Sequence, residues 1–555
     1  MISFFATQGK GSISGAFLAS RFSTSLNDFD KSAKYTVDMI RKGKKQPEIY
    51  NDALLFSIAA GNFDEAHSLA AEMGTLGLKS PALGLTLIIG KIKERQFDEA
   101  IKLMLQFEQQ LPFVLRTSIR GWISFQKGNL AAAVGEFSNF KNADLNLDLG
   151  SYYTAIAYAQ TGNYSKSSEI LRSNKESFQV LGKSYEIFRA NVLNLANDNF
   201  NDELLSEDNI KASLNSLTLK QLLKKMKNGE VSTLDIFETP NSGIADTLLL
   251  FADGDSREVS QNLIEIFYCQ LAHYLSDNEA RFTIRLAQAL AEGKLIEEAI
   301  DTLMLVDESD LFYLESKLML ADLLTESFRE KLAIKELKDL INNGIQDFEV
   351  YESLGNAYRH SEQFKLATLA YSEALAVEDD RETVNQKLWL IYFFRGIARE
   401  QLKEYKGSMA DLRQALEYMP EQPQVLNYLG YMLIDRQEHL DEALEMIELA
   451  VKKSPQSGYI IDSLAWGLYQ LGRYNEAITP MEQAIALEPE DPIVNDHFGD
   501  ILWKVGRKRE AYFQWKKALL FNPDEELILR IQQKLERGLE DLLGDEVAEE
   551  EINDQ

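Results

Sequence analysis

Residues 458–489 read GYIIDSLAWGLYQLGRYNEAITPMEQAIALEP, and the fold follows from them. Ile461, Leu464, Ala465 and Leu468 fall at i, i+3, i+4 and i+7, the apolar stripe of one amphipathic helix. Gly472-Arg473-Tyr474 interrupts it. Ala477, Met481, Ala484 and Ile485 form a second stripe, which Pro489 stops. Small residues at Ala465, Ala477 and Ala484 let two helices approach, and large neighbours fill the gaps. The landmarks recur 34 residues apart as Ala443, Ala477, Ala511, as Ala450, Ala484, Ala518, and as Pro455, Pro489, Pro523. Such a pair cannot bury its apolar face alone, so copies stack and share a core. Pro480 lies inside the second helix, where its missing N–H predicts a kink or a cost of up to ~3 kcal/mol.

Working outward, the small residue that opens each second helix recurs at Ser408, Ala367, Ala333 and Ala299. The step from Ala367 to Ser408 is 41, so about seven residues are inserted around Asp379 to Gln386. One extra residue lies between Gly430 and Ala443, lengthening the turn near Gln437-Glu438-His439. Toward the N-terminus the rhythm weakens but persists at Phe29 with Ser32, Phe63 with Ala66, Phe97 with Ala100, Gly128 with Ala133, and Tyr164 with Ser167. Units near Phe200 and from Glu265 to Ala272 keep the phase with little of the pattern. The expected organisation is a degenerate array over 1–203, a non-repeat joint of helix and loop over 204–242, and a second array over 243–523. A capping helix over 524–539 and an acidic disordered tail over 540–555 follow. The joint helix gathers Lys220, Lys224, Lys225 and Lys227, read as a solvated face or a contact with the acidic array, with a partner dock as the alternative.

Composition narrows the function classes. The net charge of −29 opposes sequence-independent nucleic-acid binding, which needs a basic footprint, and favours basic partners. No apolar run reaches the length of a membrane span; Trp389 to Phe394 ends at Arg395. Cys269 is the single cysteine, so no internal disulfide forms. Met1 to Gln8 lacks a charged leader, which makes the cytoplasm the default compartment.

A 34-residue period with a large–small pair, a later small residue and a closing proline resembles the tetratricopeptide repeat. Asn427 to Asp435, Gly458 to Trp466 and Val494 to Asp500 further resemble large tetratricopeptide proteins of alphaproteobacteria, the likeness being strongest from about Trp389 to Leu539. The resemblance implies an all-α fold, a right-handed α-solenoid superhelix of about 14 helix-turn-helix units with a C-terminal capping helix. It also implies that the first helices line a concave groove that binds peptides or partner proteins. Such relatives often begin with an export signal, which would make the protein periplasmic if a leader precedes Met1.

Catalytic constellations are absent from the sequence: His67, His273, His360, His439 and His497 make no metal-ligand pair, and no phosphate loop or nucleophile motif appears. No cofactor or metal is expected, and Cys269 reads as a buried inert thiol. On each first helix, the residues one step round from the core stripe should face the groove. These are Asn427 and Tyr431; Tyr459, Asp462, Trp466 and Tyr469; and Asp496, Asp500 and Trp503. Carboxylates, an amide and aromatics in that phase suit an extended backbone, stacked side chains and the cations of a Lys or Arg. The alternative is that the tryptophans pack between units and the aspartates stiffen the array. The expected function is a non-catalytic interaction scaffold binding basic or aromatic segments. The alternatives are a cell-envelope assembly factor or a regulatory subunit of an enzyme complex.

Overall fold

A computed structural model describes residues 12–142, 148–174, 182–196, 217–227, 239–252, 261–377 and 381–539. The acidic tail, most of the expected joint (204–216 and 228–238), the unit near Phe200 and residues 378–380 lie outside them. All regular structure among the described residues is helical, so the chain is an all-α helical-repeat protein. It divides into two compact units, Met1–Ile345 and Gln346–Gln555.

Antiparallel helix pairs repeat within both units, and one turn explains the period. Asn27, Gly61, Arg95, Gly128, Gly162, Lys294, Phe328, Glu362, Lys403, Gln437, Gly472 and Gly506 all have positive φ. Each sits between the first and second helix of a pair. At Gly472 the N–H donates to Tyr469 O, and the next N–H, of Arg473, reaches back to Leu468 O at 2.8 Å. Those two bonds satisfy the carbonyls that the first helix leaves open. The extra residue after Gly430 is absorbed here: Gln437 and His439 are both left-handed. The insertion before Ser408 extends a helix, Arg381–Gln401, to 21 residues.

In the Met1–Ile345 unit the pairs begin with Ile13–Ser25 and Phe29–Arg41, then Pro47–Ala59 and Phe63–Thr75. The helices Pro240–Ala252 and Gln261–Leu275 depart from nearest-neighbour stacking. They pack on the first helices Pro47–Ala59, Pro81–Lys93 and Phe113–Gln126, far back in the sequence. Thr247 hydrogen-bonds Ser118 at 2.6 Å and the Tyr153 hydroxyl at 2.8 Å, and Gly243 presses so closely on Trp122 that a Cβ would enter the indole. Tyr274 stacks on Phe63 at 4.0 Å, and Lys93 Nζ donates to Asp277. The Leu217–Lys227 helix turns Leu219, Leu222 and Met226 into the same core. Cys269 is buried.

In the Gln346–Gln555 unit the last three pairs are Pro423–Asp435 with Leu440–Lys453, Gly458–Gln470 with Tyr474–Leu487, and Pro492–Lys504 with Lys508–Ala518. Their first helices lie side by side. Ala443, Ala477 and Ala511 are fully buried where second helix meets first. Tyr474–Leu487 runs unbroken through Pro480. Glu525–Arg537 closes the unit, burying Leu527 and Ile531, with Leu539 buried just beyond its end.

Candidate protein-interaction face

Proline at the first helical turn fixes the start of Pro423–Asp435 and of Pro492–Lys504, where the Asp491 carboxylate also accepts from Ile493 N and Val494 N, whereas Gly458–Gln470 starts without either device. Successive starts keep register. One row of positions runs Asn427, Asp462, Asp496 and then Arg530; a second runs Tyr431, Trp466, Asp500 and then Lys534. Arg530 and Lys534 stand 34 residues after Asp496 and Asp500, so the closing helix takes the place of the next first helix.

Aromatic residues form the accessible part of this face. Tyr459 is 56% and Tyr431 36% exposed. Trp466 is half-buried, stacked on Tyr469 at 4.8 Å and on the His497 imidazole at 4.0 Å. Tyr469 turns on to Tyr474 and is nearly covered. Trp503 is buried against Trp515 at 5.3 Å, with Lys508 over its ring. Its Nε1, like the Oδ1 of Asn427, is buried without a hydrogen-bond partner.

The carboxylates are engaged within the protein. Asp462 meets His497 Nδ1 with both oxygens at 3.0 Å. Asp496 and Asp500 share Lys534, whose Nζ lies 2.9 Å from both oxygens of Asp496 and 2.7 Å from Asp500. Arg530 adds a contact to Asp496 at 3.3 Å, and Trp515 Nε1 donates to Asp500 at 2.9 Å. The Lys534 side chain is 5% exposed. The sequence reading aimed these aspartates at a partner's cations; burial instead forces each to find its cation inside the chain.

Burial pulls the His497 imidazole toward neutrality, but Asp462, with Asp496 and Asp500 beyond it, more than offsets this and raises its pKa above 6.5. Burial also raises Asp500, against the pull of Lys534 and with the push of Asp496. Three carboxylates thus face Lys534, Arg530 and His497, and the charges balance when the imidazole is protonated. Burial raises the Tyr431 hydroxyl to about 12, helped by Asp435 and Asp462.

Arg530 and Lys534 were missed as members of this cluster, although the 34-residue register carries them to the positions that follow Asp496 and Asp500, and His497 was weighed only as a metal ligand. Among the described residues no His, Cys, Asp and Glu side chains gather into a metal-holding group, and no helix is long and apolar enough to cross a membrane.

Comparison with known proteins agrees with the repeat. Residues 389–524 match the family model described as tetratricopeptide repeat. A TPR repeat-containing protein of Pseudomonas aeruginosa is 28% identical over 192 residues, which are 33% of this chain and 30% of that protein. Among solved structures, the APC/C hetero-tetramer Cut9–Hcn1 is similar at 14% identity, covering 95% of this chain and 96% of that one with a TM-score of 0.39. A tetratricopeptide repeat protein from Parabacteroides merdae is similar at 14% identity, over 45% of this chain and 96% of that one, with a TM-score of 0.38. The period, the recurring left-handed turn and the family match together identify residues 389–524 as tetratricopeptide repeats, within a chain that is helical-repeat throughout its described residues.

Proposed function

We propose that the chain is a non-catalytic scaffold that holds a segment of a partner protein against the first-helix face of the Gln346–Gln555 unit. The observation that carries this reading is the aromatic shelf of Tyr431 and Trp466, in register on neighbouring helices, with Tyr459 two turns before Trp466 on its own helix, all left at least partly accessible. Aromatic side chains supply contact area at low entropic cost and dominate binding hot spots. In the Met1–Ile345 unit, by contrast, helices Pro240–Ala252 and Gln261–Leu275 cover the first helices. The partner segment is basic or aromatic: the chain carries −29 net charge, ring faces attract Lys and Arg, and Asp435 stands exposed beside Tyr431.

The test is affinity capture from the host with wild type beside Tyr431→Ala/Tyr459→Ala, with circular dichroism as a folding control. Both side chains are exposed enough to remove without opening the core. Loss of a partner from the folded variant is the expected result; a partner retained at wild-type levels would sink the shelf as the binding surface. Substituting Asp462, Asp496 and Asp500 would not serve, because it breaks buried ion pairs.

A further inference from the structure

The closing helix has an unusual buried face. Leu527 and Ile531 bury aliphatic side chains four residues apart, and three residues after each stands a cation, Arg530 and Lys534. Arg530 is half-exposed, whereas Lys534 is buried between the two carboxylates and lies 6.0 Å from the Trp515 ring. Gly538 ends the helix with positive φ, close enough that a Cβ would lie 2.7 Å from the Trp503 ring. Leu529, on the same helix, is left in solvent. Leu535 and, just past the helix end, Leu539 add to the apolar contact, and the ion pairs decide which charge the seat accepts. A neutral helix in this seat would leave Asp496 and Asp500 buried without a counter-charge, which excludes it more strongly than any lost packing.

We propose that this end of the repeat array is a socket for a cationic amphipathic helix of a partner protein, with Glu525–Arg537 as its resident occupant. The partner helix carries the pattern aliphatic-x-x-cation twice in succession, as Leu527 to Arg530 and Ile531 to Lys534 do here. Charge complementarity selects it: the socket offers two carboxylates and the Trp515 indole, and closes only around an ammonium or guanidinium. The resident helix leaves through the short link Leu519 to Asp524, where Leu520 is exposed and Asn522 is already left-handed. This inference rests on the interaction-scaffold reading but turns on the buried carboxylates at the end of the face and not on its exposed rings, so either can fail alone.

Two measurements on the full chain test it. In hydrogen exchange, the amides of Glu525–Arg537 should exchange about tenfold or more faster than those of Lys508–Ala518, because the helix opens on its own. Exchange in step with Lys508–Ala518 would make it a fixed cap and overturn the socket. In the second, a labelled peptide of residues 524–539 is titrated into wild type and into Arg530→Ala/Lys534→Ala. The variant, its resident helix loosened, should bind the peptide about tenfold or more tightly than wild type does, and should ignore a peptide with Glu at both cation positions. Equal binding of the two peptides would overturn the charge selection. Should the double variant fail to fold, Arg530→Ala alone, at a half-exposed position, replaces it. A variant that dimerises in sedimentation instead of taking the peptide would assign the socket to a second copy of this chain and overturn the partner-helix assignment.

Discussion

Phe328 stands at the left-handed turn position that Gly61, Gly128, Gly162, Gly472 and Gly506 occupy elsewhere, with φ of 60° and 87% exposure. A bulky side chain there strains the backbone and packs on nothing in return. Phe328→Gly should therefore raise stability by about 1 kcal/mol, read from the urea midpoint of the Met1–Ile345 unit. His497 makes the opposite kind of contribution. The fold holds its proton more tightly than the unfolded chain does, so its stabilisation is complete below 6.5 and is lost as pH rises through the raised value. Asp500, also raised, acts with the same sign. Stability of the Gln346–Gln555 unit should fall as pH rises above about 6.5, by about 1.4 kcal/mol for each unit by which the fold raises His497. His497→Gln should flatten that dependence, and an unchanged slope would remove the imidazole from the balance.

Helix by helix, the fold was legible because its signals are local. Ala443, Ala477 and Ala511 announce the second helices, and Gly472 and Gly506 the turns, from side chains and φ preferences that need no distant partner. Pro480 was expected to kink its helix or to cost up to ~3 kcal/mol; Tyr474–Leu487 continues through it, which leaves the cost of the missing bond. Packing of Ala477, Met481 and Ala484 holds the helix on both sides of the missing bond. Pro480→Ala should restore that bond and stabilise the unit by roughly 1–3 kcal/mol, seen as a raised melting temperature. The candidate face was half legible. Its register and its aromatics followed from the period, but the fate of its aspartates depended on Lys534, which the sequence reading left as an unremarked residue of a cap. Lys534→Ala should cost about 3–5 kcal/mol in chemical denaturation, since two buried carboxylates lose their shared ammonium.

Across the whole molecule, the least legible feature is the cover formed by Pro240–Ala252 and Gln261–Leu275. Read in sequence, the second of these helices is one more weak unit in phase. Its partners, Ala59 and Tyr274's neighbour Phe63, lie about two hundred residues earlier, and nothing in a 34-residue rhythm reports them. Gly243→Ala should disturb this cover by driving a methyl into Trp122, at a cost of about 1–3 kcal/mol. The check is faster amide exchange in Phe113–Gln126 with Lys508–Ala518 unchanged. The same cover bears on how the protein is made. When Ala59 leaves the ribosome, Leu275 is still 216 codons away. At about 5–20 residues per second, the apolar face of Pro47–Ala59 waits roughly 10–40 seconds for its lid. Nascent chains stalled before Leu275 should recruit holdase chaperones that full-length chains have already shed.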